Sequence, residues 1–74
     1  METSTRQEID FSMFLMYRLA ERWDKPVASV YHILEQTGAL ENYIIPFYDV
    51  LHTLGEDYLV EDVTEYVRKR GADV

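Results

Sequence analysis

Asp49 and His52 lie three positions apart, and Tyr48 four positions before His52, in the run Tyr43-Ile-Ile-Pro-Phe-Tyr-Asp-Val-Leu-His-Thr-Leu-Gly55. On a short helix these spacings make the side chains neighbours. A carboxylate beside an imidazole orients the ring and favours its protonated form, the arrangement used in general-base catalysis. Catalysis also requires a nucleophile or bound substrate in a concave pocket, and a chain of 74 residues rarely builds one. The sequence therefore predicts no catalytic residue and no enzymatic activity. Two other readings of the run remain. In one, Asp49 caps the turn after Pro46 while His52 bonds a neighbouring backbone carbonyl. In the other, Tyr48, Asp49, His52 and Thr53 form a surface for a partner.

The remaining chemistry-bearing residues are weaker signals. His32 and Glu35 are i, i+3 neighbours and form half a metal site, but no second pair is spaced to complete a shell. No metal and no cofactor is expected. Arg68-Lys69-Arg70 is the one basic run, and cations in a last helical turn follow from the helix dipole alone. Glu56, Asp57, Glu61, Asp62 and Glu65 give the last helical stretch a negative outer face, either simply solvated or a docking surface for a basic partner. Phe11, Trp23, Tyr43, Phe47, Tyr48, Tyr58 and Tyr66 exceed what the centre of so small a core holds. Aromatic rings at a rim suit protein interfaces, including a homodimer.

Charge narrows the partners. Fourteen acidic residues against seven basic ones leave a net charge of -7, which repels nucleic acid and anionic membranes and favours a basic protein surface. Cysteine is absent, so disulfides and thiolate metal sites are excluded, in keeping with a reducing compartment. The most apolar early run, Phe11 to Tyr17, is seven residues long and interrupted by Ser12. A membrane span needs about 20 apolar residues, and a signal peptide needs a basic start and a cleavage site. The expected location is the cytoplasm.

The elements that must hold these residues are helical. Thr5 and Glu8 fit a capping box. Ile9, Met13, Met16, Ala20 and Trp23 then recur at helical spacing, widened by Phe14 and Tyr17, with Phe11 and Leu15 off that stripe. Asp24-Lys25-Pro26 separates this helix from a second, whose core face is Val27, Val30, Tyr31 and Leu34 and whose C-cap is Gly38. Residues 39 to 44 make one or two turns with Leu40, Tyr43 and Ile44 inward. Ile45, before a proline, is biased towards extended backbone. Pro46 opens a short helix with Phe47, Val50, Leu51 and Leu54 inward, closed by Gly55. The last helix begins with Glu56 and Asp57, ends with Arg68, Lys69 and Arg70 before Gly71, and buries Leu59, Val63, Tyr66 and Val67. The fold expected is one all-α domain over residues 1–74, ordered from about 5 to 71, with three main helices and one or two short helical turns.

The segments Glu35-Gln-Thr-Gly-Ala-Leu40, Tyr43-Ile-Ile-Pro46, Tyr48-Asp-Val-Leu-His-Thr53 with Gly55, and Tyr58-Leu-Val-Glu-Asp62 resemble a bacterial family of short proteins catalogued as domain of unknown function 3791. The resemblance runs from about Ile9 to Gly71, and the Tyr48–Thr53 run is its most specific part. The family has no established activity. Its members are expected beside, or fused to, a domain that looks like an ADP-ribosyltransferase, which implies an antitoxin-like or regulatory partner of that protein. Carried onto this chain, the contact positions implied are Tyr48, Asp49, His52 and Thr53, while Phe47 stands where a smaller residue is expected. The competing expectation is a DNA-binding or transcriptional accessory domain, since short three-helix units include helix-turn-helix forms. Against it, no tight glycine turn leads into a basic recognition helix.

Overall fold

The computed structural model describes residues 6–74. Helix α1 spans Arg6–Trp23, α2 Val27–Thr37, α3 Tyr48–Leu51 and α4 Glu56–Lys69, with a π-helical segment at Leu40–Ile44 between α2 and α3. No strand occurs among the described residues, so the domain is all-α, with three main helices and two short helical segments. Helix α1 packs on both α2 and α4, and α2 also touches α4 and the π segment. The expected capping box includes Thr5, which lies outside the described residues.

The buried face of α1 is Ser12, Leu15, Met16, Leu19 and Trp23, rotated from the expected stripe. Ile9, Met13, Phe14 and Tyr17 are exposed, whereas Leu15, expected off the stripe, is in the core. Apolar side chains occur around most of α1, so periodicity alone does not choose a face. Ser12 obscures the buried one by being polar, its hydroxyl donating to the Glu8 carbonyl at 2.8 Å. Burial across α2 and α4 then selects the leucines.

Asp24 ends α1 in the left-handed region, at φ 55°. The Lys25 N–H reaches back to the Ala20 carbonyl at 3.1 Å, the six-to-one bond of a Schellman cap. Pro26 caps α2 at φ -62° and ψ 151°. Val30 and Leu34 are fully buried, but Tyr31 is exposed and Val27 only half-buried, so the inner face of α2 is narrower than expected.

Gly38 closes α2 at φ +79°, where a Cβ would sit 2.6 Å from Asn42 Nδ2. Left-handed backbone costs a residue with a Cβ roughly 1–2 kcal/mol. Gly38→Ala is therefore expected to lower the unfolding free energy by about that amount, since the Asn42 side chain swings away more cheaply than the backbone. Urea titration checks this, and an unchanged midpoint would contradict the cap.

The π segment is the least ordinary part of the fold. Ile45 is helical, at φ -71° and ψ -49°, not extended as its place before Pro46 suggested. Its N–H bonds the Leu40 carbonyl at 3.0 Å, five residues back. In an α-helix the proline ring collides with the carbonyl four residues earlier. Widening the turn just before Pro46 relieves that collision and lets the chain continue in helical form. The turn buries Ala39 and Ile44 fully, with Leu40 and Tyr43 half-buried.

Pro46 does not open α3; Phe47 stands at its N-cap, with no side-chain cap bond. Of the four residues expected inward there, Leu51 is buried and Leu54 half-buried, while Phe47 and Val50 are exposed. A single turn has only one inner position to offer. Gly55 is the extended N-cap of α4.

Helix α4 buries Leu59, Val60, Val63, Thr64 and Val67, and Tyr66 only in part. Thr64 is the polar residue that periodicity missed. It accepts a hydrogen bond from Trp23 Nε1 at 3.0 Å and donates to the Val60 carbonyl at 2.7 Å. Both hydrogen-bonding needs of the hydroxyl, and the one indole donor, are satisfied inside the core.

Candidate interaction site

Tyr48, Asp49, His52 and Thr53 lie on α3 and its exit, Tyr48 half-buried and the other three exposed. The half-buried Tyr48 ring meets Phe11 of α1 edge-on at 5.3 Å and stacks on the His52 ring at 4.6 Å. His52 Nδ1 lies 2.7 Å from the Tyr48 carbonyl. A carbonyl only accepts, so Nδ1 is the donor in this contact. The Asp49 carboxylate neither caps the turn nor contacts His52, and it has no partner among the described residues. Without an orienting carboxylate the acid–base reading loses its geometry. Thr53 donates to the Val50 carbonyl at 2.6 Å. His32 and Glu35 belong to no group of metal ligands among the described residues.

The acidic face of α4 divides into held and free carboxylates. Glu56 forms an ion pair with Arg18 Nε at 2.5 Å, although that buried nitrogen makes no hydrogen bond. Glu61 takes both nitrogens of one edge of Arg22, at 2.6 and 3.1 Å. This hydrogen bond, and the attraction behind it, hold the Glu61 carboxyl below its ordinary range and raise the Arg22 guanidinium above its own. Asp62 accepts a bond from the Tyr43 hydroxyl. Asp57 and Glu65 are exposed and have no partner among the described residues.

Beside this face the aromatic residues form a column. The Phe47 ring lies 5.7 Å from Tyr43, Tyr43 stacks on Tyr66 at 4.6 Å with 10° between planes, and the Arg70 guanidinium covers Tyr66 at 3.8 Å. Arg70, expected only to complement the helix dipole, therefore also caps this column. The π segment places Tyr43 and α4 places Tyr66, so the irregular turn aligns the rings. Burial first, and then the bond to Asp62, push the Tyr43 phenol up from 10.0 to about 12.

The raised value has a definite sign. The folded protein holds the Tyr43 proton more tightly than the unfolded chain does, so this contribution to stability is intact below pH 10 and is lost as pH rises towards about 12. Of the six tyrosines, one is expected to form phenolate late in a near-ultraviolet titration. Tyr43→Phe should remove that late step and flatten the alkaline loss of stability. Survival of the late step in the variant would assign it elsewhere.

Sequence reasoning did not single out Tyr58 as part of the site. It is the most exposed of the large apolar residues among those described, at 63%, and Glu61, Asp62 and Glu65 follow it at i+3, i+4 and i+7 on α4. It thus stands among the carboxylates on the outer face. The signal was present as an aromatic residue opposite the buried stripe. Tyr58 lines none of three clefts on the surface: one between the end of α2 and the C-terminal residues, one along the seam from Arg18 to Asp57 and Glu61, and one between α1 and the π segment.

The fold and this surface describe a small all-α domain with an aromatic and acidic face. The chain belongs to the family described as protein of unknown function DUF3791, whose model matches residues 10–70. No curated protein matches it, and neither does any solved structure. No helix among the described residues is long and apolar enough to cross a membrane.

Proposed function

We propose that this chain is a non-catalytic protein-interaction module whose acidic α4 face docks a basic surface on a protein partner. The observation that carries the reading is Tyr58, 63% exposed and followed on its own face by Glu61, Asp62 and Glu65. Tyrosine at the centre of a polar patch is a frequent binding hot spot, because it buries a rigid ring at little entropic cost. The net charge of -7 favours a basic counterpart. The neighbourhood implied by the family resemblance supplies the partner class, an ADP-ribosyltransferase-like protein. In this reading the chain is its antitoxin-like or regulatory companion in the cytoplasm, and the exposed Asp49, His52 and Thr53 extend the contact.

The test is titration calorimetry of the intact chain against the neighbouring ADP-ribosyltransferase-like protein at low and moderate salt. Binding is expected, weakened by salt, and reduced at least about tenfold by Tyr58→Ala. Absence of any heat or co-purification at low salt would remove the reading.

A further inference from the structure

Helix α1 keeps one apolar flank that the core does not use. Ile9, Met13, Phe14 and Tyr17 are exposed by 51, 40, 47 and 56%. Beside them runs an apolar groove of about 200 Å³, lined chiefly by Ile9, Met13, Met16, Tyr31, Leu40 and Ile45. Four large apolar residues on one surface helix, bordering a groove, form a contiguous patch of the kind that marks an interface.

We propose that this flank is a homodimer interface in which α1 of one copy lies antiparallel against α1 of a second. Three observations favour a second copy as the occupant. The first is charge. Arg6, Arg18 and Arg22 balance Glu8, Asp10 and Glu21, so α1 is neutral and the whole net charge of -7 lies outside it. A basic partner has little electrostatic reason to choose this face, and a second copy meets little repulsion there.

The second is register. Arg6, Asp10, Met13 and Tyr17 follow one another at spacings of four and three along α1, and Asp24 stands just past its end. With the two-fold axis between Met13 and Tyr17, Met13 of each copy packs on Tyr17 of the other. Arg6 then comes beside the acidic end, Glu21 and Asp24, of the second copy, and the helix dipoles oppose. Arg6 is free to turn outward, since its ion pair with Asp10 is loose and exposed, at 3.7 Å.

The third is size. Eighteen residues of helix run about 27 Å. A standard interface takes roughly 800 Å² from each partner, so α1 is joined in the contact by the groove wall of Tyr31, Leu40 and Ile45. A two-fold pair uses one patch twice and closes on itself.

The experiment is sedimentation velocity of the intact chain over a wide concentration range, with circular dichroism to confirm folding. A concentration-dependent dimer is expected. Tyr17→Asp, at an exposed position, should weaken it by at least about tenfold, while Val50→Asp on α3 should leave it unchanged. A monomer at all concentrations overturns the proposal. So does a dimer that survives Tyr17→Asp or is broken by Val50→Asp. The chain has no cysteine, which permits a direct test of orientation. Arg6→Cys together with Asp24→Cys, the two positions this register places opposite each other, should oxidise to a covalent dimer, and Arg6→Cys alone should not. Ready cross-linking of the single variant would mean a parallel pair and would overturn the antiparallel one.

Discussion

Trp23→Ala is expected to lower the unfolding free energy by about 3–5 kcal/mol, the usual cost of truncating a large buried aromatic ring. A chain of 74 residues has a total stability of roughly 4–11 kcal/mol at about 0.05–0.15 kcal/mol per residue, so this single change brings it near the folding threshold. Trp23 is 8% exposed and joins α1 to α4 through its bond to Thr64. The polar share of its contribution is measured separately by Thr64→Val, which keeps the shape of the side chain and removes its oxygen. The indole N–H is then buried without an acceptor, at a cost of about 1–3 kcal/mol. Trp23 is the one tryptophan, so its own fluorescence follows unfolding in Thr64→Val, and circular dichroism follows it in Trp23→Ala. A Thr64→Val midpoint equal to that of the parent chain would mean that the bond contributes nothing.

Ile44→Ala should cost about 2–5 kcal/mol, although Ile44 lies in a five-residue segment of irregular helix. Its side chain is fully buried, so truncation leaves a cavity that its neighbours fill only in part. Val50→Ala is the matched control, four residues after Pro46 and 59% exposed. Its effect should stay within about 0.5 kcal/mol of zero. Denaturant titrations of the two variants separate a packed turn from a loose connector. Equal small effects would mean that the π segment is not part of the core.

The helices were legible in the sequence because each carries its own punctuation. Pro26, Gly38 and Gly71 mark ends that backbone sterics enforce, and α4 begins acidic and finishes basic. Which side of a helix faces inward was less legible. In α4 the apolar stripe is flanked by charge, and Leu59, Val63 and Val67 were placed correctly. In α1 apolar residues surround the axis and the buried set includes Ser12, so the stripe through Ile9 and Met13 looked equally good. Buried polar residues defeat patterning of this kind, since Ser12 and Thr64 are tolerated only because a nearby carbonyl accepts a hydrogen bond from each hydroxyl. The turn at Pro46 was misread for a different reason. The clash that bends the chain before a proline is a local preference, and at Ile45 the hydrogen bond and packing of the π segment outweigh it. At the site, the exposure of Asp49, His52 and Thr53 follows from the single turn of α3. The edge-on contact of Tyr48 with Phe11 depends on where α1 passes, which no local pattern contains.

The neutrality of α1 against the acidity of the remainder has a consequence for rates. A molecule charged on one side and neutral on the other tumbles into preferred orientations as it nears a basic surface, which raises the frequency of productive encounters. Association through α4 should therefore slow steeply as added salt shortens the Debye length. Pairing through α1 brings together two chains that each carry -7, so its on-rate should rise as salt screens their repulsion. Ionic strength thus slows one kind of meeting and eases the other.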